Sequence, residues 1–99
     1  MGMRFEWDER KNESNLAKHG LDFADSPRIF CLPMLVALDH RDDYDEDRWI
    51  GLGLLDSRTV VVVYTEPDAE TIRVISLRKA LTHERNEYEQ YLKNELGAS

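Results

Sequence analysis

The sequence predicts an α+β fold of two N-terminal helices, a four-stranded antiparallel sheet and a C-terminal helix. Three observations carry this. Cap residues and sparse apolar spacing mark helices up to about residue 30, and strand-forming segments follow from Met34. An apolar stripe at helical spacing then returns after Leu81. A chain of 99 residues can form one core only, so residues 1–99 are read as a single domain.

The first helix is expected over residues 9–19. Asp8 is a good N-cap, Glu9 suits the positive helix end, Trp7 and Leu16 supply apolar contacts, and Gly20 stops the segment. A second short helix is expected from the cap Asp22 over residues 23–30, with Pro27 in a first turn or marking a break. Four segments then read as strands: MLVALDH, RWIGLGLL, TVVVVYTE and TIRVISL. Their links, RDDYDED, DSR and PDAE, are short and polar, which predicts hairpins and an antiparallel meander. The last helix is expected over residues 81–96, with Thr82 as its cap and Tyr88, Tyr91 and Leu92 on its apolar stripe.

Centring each hairpin on its turn opposes Leu55 with Thr59 and Thr65 with Thr71. This register sets Gly51 beside Val63 and Arg73, and Trp49 beside Thr65. One face then carries Trp49, Gly51, Gly53, Val61, Val63, Arg73 and Ile75. The other carries Ile50, Leu52, Leu54, Val60, Val62, Tyr64, Ile72 and Val74, and is expected to take the helices. The glycine face is expected to form an open groove, although glycine also permits a close-packed helix.

Composition narrows the function classes. Hydrophobic residues at 41% and charged residues at 33% suit a folded cytoplasmic protein. The single cysteine, Cys31, excludes an internal disulfide and provides no thiolate pair for zinc. No apolar run approaches the roughly 20 residues needed to span a bilayer, so no membrane role is expected. The net charge of −7 opposes nucleic-acid binding at first sight. Its distribution is uneven: residues 1–47 hold 12 acidic and 6 basic side chains, and residues 48–99 hold 8 and 7. Between Arg73 and Arg85 stand the cations Arg73, Arg78, Lys79 and Arg85 with only Glu84 against them, a local basic site. The acidic run Asp42, Asp43, Asp45, Glu46, Asp47 lacks the glycine and distal glutamate of a calcium loop and reads as a solvated hairpin tip. No phosphate-binding glycine loop, Ser-His-Asp order or zinc spacing is present, and no cofactor or metal is expected.

Several blocks together resemble the BrnT toxin family from end to end. They are FEWDERK at 5–11, NLAKHG at 15–20 with Phe23 after it, DRWIGLG at 47–53, VVVVYTE at 60–66, and RVISLRKA at 73–80 followed by Glu84 and Tyr88. Leu77 stands where that family more often has alanine. The resemblance implies a RelE-like ribonuclease fold, an endoribonuclease toxin of a type II toxin–antitoxin system, and a BrnA-like antitoxin partner. That antitoxin carries a DNA-binding domain, so DNA is reached only through the partner. The alternative is a non-catalytic module of the same fold that acts as a co-repressor or structural partner of the antitoxin.

Metal-free RNA cleavage needs a base for the ribose 2′-OH, an acid for the leaving 5′-oxygen and cations for the charge on phosphorus. Arg73 is the sharpest candidate, because an arginine on a central strand holds a phosphate through parallel hydrogen bonds; a strand arginine paired with a nearby acid is the alternative. Arg78 and Lys79, at the passage from the last strand to the last helix, are further catalytic candidates, with surface solvation as the alternative. Lys18 and His19 join them through the NLAKHG block, although His19 at a helix end also suits the helix dipole. Arg48 opposes Glu66 in the expected register, so an ion pair competes with a place on the site rim, and Arg85 is a further RNA contact. Trp49 can stack on a base, whereas Tyr88 reads first as core.

Overall fold

The computed structural model describes residues 2–39 and 47–95. Its elements run in the order β1 (Arg4–Glu6), α1 (Glu9–His19), a 3-10 turn (Phe23–Asp25), α2 (Ser26–Phe30), β2 (Leu35–Leu38), β3 (Arg48–Leu55), β4 (Arg58–Asp68), β5 (Thr71–Lys79) and α3 (Thr82–Glu95). The acidic run Asp42 to Glu46 lies outside the described residues. No helix among the described residues is long and apolar enough to cross a membrane.

The sheet is five-stranded and mixed, in the order β1-β5-β4-β3-β2, which corrects the expected four antiparallel strands behind two helices. The chain opens on a strand. β1 pairs parallel to β5, with Arg4 opposite Thr71 and Glu6 opposite Arg73. Three residues are too few for alternation to show, and the partner strand is 67 positions away, so no local pattern announces β1. The second expected helix also divides. Asp22 caps the 3-10 turn through the Ala24 N–H, and Pro27 falls in the first turn of the five-residue α2, where its missing N–H costs nothing.

α1 follows its signals closely. Asp8 accepts from the N–H groups of Arg10 and Lys11, and Gly20 closes the helix in the left-handed region at φ 71°. In α3, Thr82 is the first helical residue rather than the cap. The capping contact comes from Glu84, whose carboxylate accepts from the Leu81 N–H at 2.8 Å.

The strand register departs from the symmetric expectation at two places. Asp56 and Ser57 form a two-residue turn with φ of 52° and 67°, so Leu55 faces Arg58 and not Thr59. That slip sets Gly51 against Val62 and Trp49 against Tyr64, and a one-residue slip exchanges the faces. The second departure is in β5, where Ile75 is an extra residue between Val74, opposite Tyr64, and Ser76, opposite Val63.

Two cores result. On one face Val60, Val62, Tyr64, Ile72, Val74 and Leu77 pack with Phe23 and Ile29, and partly buried Phe5, Phe30, Met34 and Trp49 close against them. On the other Leu52, Val61 and Tyr88 pack with Ile50, Leu54, Tyr91 and Leu92 beneath α3. The glycine face is therefore covered, contrary to the expected groove. A Cβ on Gly53 meets Ile29 Cγ2 at 2.7 Å and one on Gly51 meets Met34 Cε at 2.5 Å, so the glycines admit the overlying segment.

Beyond the short β1, the outer edge of β5 is served by a side chain. Buried Asn15 on α1 donates from Nδ2 to the Leu77 carbonyl at 2.9 Å and accepts the Leu77 N–H at 3.1 Å. Its Nδ2 also donates to the Leu21 carbonyl at 3.0 Å. The amide thus imitates one residue of a neighbouring strand and fixes α1 to the sheet. Asn15→Leu is expected to leave the Leu77 backbone groups buried without partners and to cost about 2–4 kcal/mol, read as a lower urea midpoint at unchanged slope.

Candidate active site

The α3 face of the sheet carries a row of polar side chains that α3 does not cover. Glu6, Arg73, Thr65 and Arg48 are direct neighbours across β1, β5, β4 and β3. Arg73 therefore faces Thr65, and not Gly51 and Trp49 as the symmetric register implied. Its Nε donates to Glu6 Oε2 at 2.7 Å, and Nη2 lies 2.6 Å from the same oxygen. Arg48 faces Thr65 rather than Glu66, so the expected Arg48–Glu66 opposition does not form. Thr65 is buried between the two arginines in this row, and its hydroxyl has no hydrogen-bond partner among the described residues.

Along β5 the bulge at Ile75 keeps Arg73, Ser76 and Arg78 on this face, opposite Thr65, Val63 and Val61. Arg73 and Arg78 are thus four residues apart along β4, roughly 13 Å at strand rise. Arg78 grips Glu84 with a two-pronged contact, Nη1–Oε1 at 2.8 Å and Nη2–Oε2 at 2.9 Å, and Nη1 also reaches the Lys79 carbonyl at 3.2 Å. The Arg78 guanidinium is the main reason that the Glu84 carboxyl is held down at about 2 from an ordinary 4.5; burial opposes it, and the Leu81 N–H assists.

The Asn15 clamp brings the end of α1 to the same strand. Lys11, Lys18, His19 and Ser76 line a cleft of about 240 Å³ at the β5 edge. Two of the expected residues, Lys18 and His19, thereby adjoin the strand that carries Arg73 and Arg78. Ser76 and Lys11 were not anticipated. Ser76 gives no signal in sequence, because its face depends on the bulge.

The other expected residues lie elsewhere. Lys79 and Arg85 line a separate cavity of about 580 Å³ with Arg58, at the β3–β4 turn. Trp49 sits on the helix-covered face beside Tyr64, away from Arg73. Tyr88 is fully buried and its hydroxyl donates to the Pro33 carbonyl at 2.7 Å; burial raises its pKa, which favours a packing role over proton transfer.

Residues 7–84 match the model of a family described as the ribonuclease toxin, BrnT, of type II toxin–antitoxin systems. The chain belongs to the BrnT family. It is accordingly a ribonuclease toxin whose substrate class is RNA and whose partner class is an antitoxin. The 1.1 Å crystal structure of the Brucella abortus ribonuclease toxin BrnT is similar to it, with a TM-score of 0.61 and 29% identity over 81% of this chain and 99% of that one. No curated protein sequence matches. The BrnT match includes Lys18, His19, Arg48, Trp49, Arg73, Arg78 and Lys79, and ends one residue before Arg85.

The Glu84 carboxylate in this BrnT chain links stability to pH with a defined sign. Its folded pKa is depressed, so its contribution is fully present above about 4.5 and is lost as the pH falls toward about 2. Glu84→Gln is expected to lower stability at neutral pH by about 1–2 kcal/mol, a value reduced for the partly exposed Arg78. The same variant is expected to flatten the fall in melting temperature between pH 4.5 and 2, measured by thermal scans across that range.

Proposed function

We propose that this BrnT toxin is a metal-independent endoribonuclease whose RNA strand lies along β5, over the face that carries Arg73, Ser76 and Arg78. The supporting observation is their common face beside the Lys18–His19 cleft, with the two arginines spaced for an extended strand to bridge. Guanidinium groups on a rigid strand supply fixed positive charge where the phosphate gains negative charge. A divalent ion has little to hold it among these cations, so the arginines take over charge stabilisation.

Cleavage follows from the ribose. The 2′-oxygen attacks phosphorus as its proton passes to the base, the O2′–P bond forms, and the P–O5′ bond breaks while an acid protonates the leaving 5′-oxygen. The products are a 2′,3′-cyclic phosphate and a free 5′-hydroxyl. An imidazole offers one nitrogen to accept a proton and one to donate it, and the place of His19 in the cleft beside Ser76 gives it the proton-transfer role in this reading. Lys18 beside it stabilises developing negative charge. The partner in this reading is a BrnA-like antitoxin, with DNA contacted only through it, and the toxin acts in the cytoplasm.

RNA cleavage by purified, antitoxin-free protein is expected to continue in EDTA and to leave cyclic phosphate ends. Loss of cleavage on chelation, with rescue by Mg²⁺, sinks the mechanism.

Arg73→Ala is expected to cost about 2–4 kcal/mol of transition-state stabilisation, a roughly 30- to 1000-fold rate loss. Its melting temperature is expected to shift little, because the Glu6 pair is about half exposed at both ends (47% and 44%) and worth at most about 1 kcal/mol. Arg73→Lys is expected to stay impaired, since it keeps charge but loses the planar fork. Glu6→Gln breaks the same ion pair without removing the guanidinium; if it slows cleavage as much as Arg73→Ala, Arg73 serves the pair and not the phosphate.

A further inference from the structure

We infer that the cavity lined by Arg58, Lys79 and Arg85 is a nucleotide subsite for RNA flanking the cleaved bond, an inference that rests on the ribonuclease reading above. The cavity encloses about 580 Å³ between the β3–β4 turn and α3, a size that suits a small organic ligand. Its charge is available. Arg4, Arg28, Arg73 and Arg78 each hold a carboxylate, whereas Arg58, Lys79 and Arg85 make no ion pair among the described residues.

Two acids share the lining, Asp56 and Glu89. Asp56 is occupied: Arg28 holds both of its oxygens, at 2.5 and 3.4 Å. Three unpaired cations against one uncommitted carboxylate leave the concavity positive, and a concave, low-dielectric wall focuses that potential. An anion is the matching ligand.

The remaining walls specify what accompanies the anion. Leu54, Leu92 and Tyr88 line the same space, and the Tyr88 hydroxyl is already used on the Pro33 carbonyl. Tyr88 is fully buried behind them and offers a ligand neither ring nor hydroxyl, so the apolar wall is that of Leu54 and Leu92. A phosphate joined to a flat, partly apolar body satisfies both halves of the cavity, and a nucleotide is such a body.

The location favours an RNA strand over a free nucleotide. Lys79 follows Arg78 directly, and the Arg78 guanidinium bonds the Lys79 carbonyl at 3.2 Å. Lys79 and Ala80, the residues that follow Arg78, both line the cavity, which therefore lies just past the end of the β5 row. A strand laid over Arg73, Ser76 and Arg78 runs into it, with a phosphate on Arg58 and Arg85 and its base against Leu54 and Leu92.

The test measures binding of a 2′-O-methyl RNA oligonucleotide, which lacks the attacking hydroxyl, by fluorescence anisotropy over a range of salt. Arg58→Ala and Arg85→Ala are each expected to weaken binding about three- to tenfold and to reduce the salt slope by about 0.7, as for one lost phosphate contact to a single strand. Arg10→Ala makes the same charge change on the exposed first turn of α1 and is expected to alter neither. Melting temperatures verify folding, and Arg→Gln variants replace any alanine variant that lowers them. Binding by the Arg58 and Arg85 variants equal to that of Arg10→Ala overturns the subsite, including the case in which they weaken only antitoxin capture. Arginine-dependent binding of this RNA by a protein that cleaves no RNA leaves the subsite standing and removes the nuclease mechanism. Cleavage that is indifferent to both arginines does the reverse.

Discussion

The hydrogen bonds between Asn15 and the Leu77 backbone hold the arrangement on which the candidate site depends. β1 is short and pairs only with the start of β5, so beyond Arg73 the outward N–H and C=O groups of β5 have no partner strand among the described residues. Such groups are costly when buried and invite association when exposed. A single buried amide meets both needs of Leu77 and, through the Leu21 carbonyl, also ties down the chain that leaves α1. Because Asn15 is one turn before Lys18 and His19, this contact delivers their helix end to Ser76. Edge protection and site assembly are thus one interaction.

An acidic protein that handles RNA must confine its positive potential. Both β5 arginines are held by carboxylates from neighbouring elements, Arg73 by Glu6 of β1 and Arg78 by Glu84 of α3. These pairs orient the guanidinium planes and offset their mutual repulsion without removing their charge. Glu84 has a second task as the capping group of α3, so one carboxylate joins the last strand to the last helix. The net charge of −7 is therefore a poor guide to the local field over β5.

Register decides which chemistry shares a face. The two-residue Asp56–Ser57 turn moves Trp49 and both sheet glycines onto the covered side, where Ile29 and Met34 occupy the space that side chains at 51 and 53 would fill. The Ile75 bulge then restores the alternation so that Ser76 and Arg78 follow Arg73 on the α3 side. Without that extra residue the two arginines, five positions apart in sequence, would point to opposite faces.

The sequence by itself determined the local elements and the family. Asp8, Gly20 and Asp22 act through groups a few residues away, and the strand segments announce themselves by composition, so these three caps, α1 and β2 to β5 were legible, whereas Thr82 was misplaced as the cap of α3. The motif blocks carried the BrnT assignment, and the cluster Arg73, Arg78, Lys79, Arg85 was visible as a charge excess. Tertiary structure alone decided how that cluster divides: Arg73 and Arg78 on the sheet face with Lys18 and His19 at its edge, Lys79 and Arg85 in a cavity with Arg58. It also decided the parallel β1, the Glu6 partner of Arg73 and the strand role of the Asn15 amide. Each of these joins residues more than sixty positions apart. The physical reason is one of range: propensity and capping act within a turn or two, whereas face and partner are set by a bulge, a turn type and a distant pairing, each of which a single residue reverses.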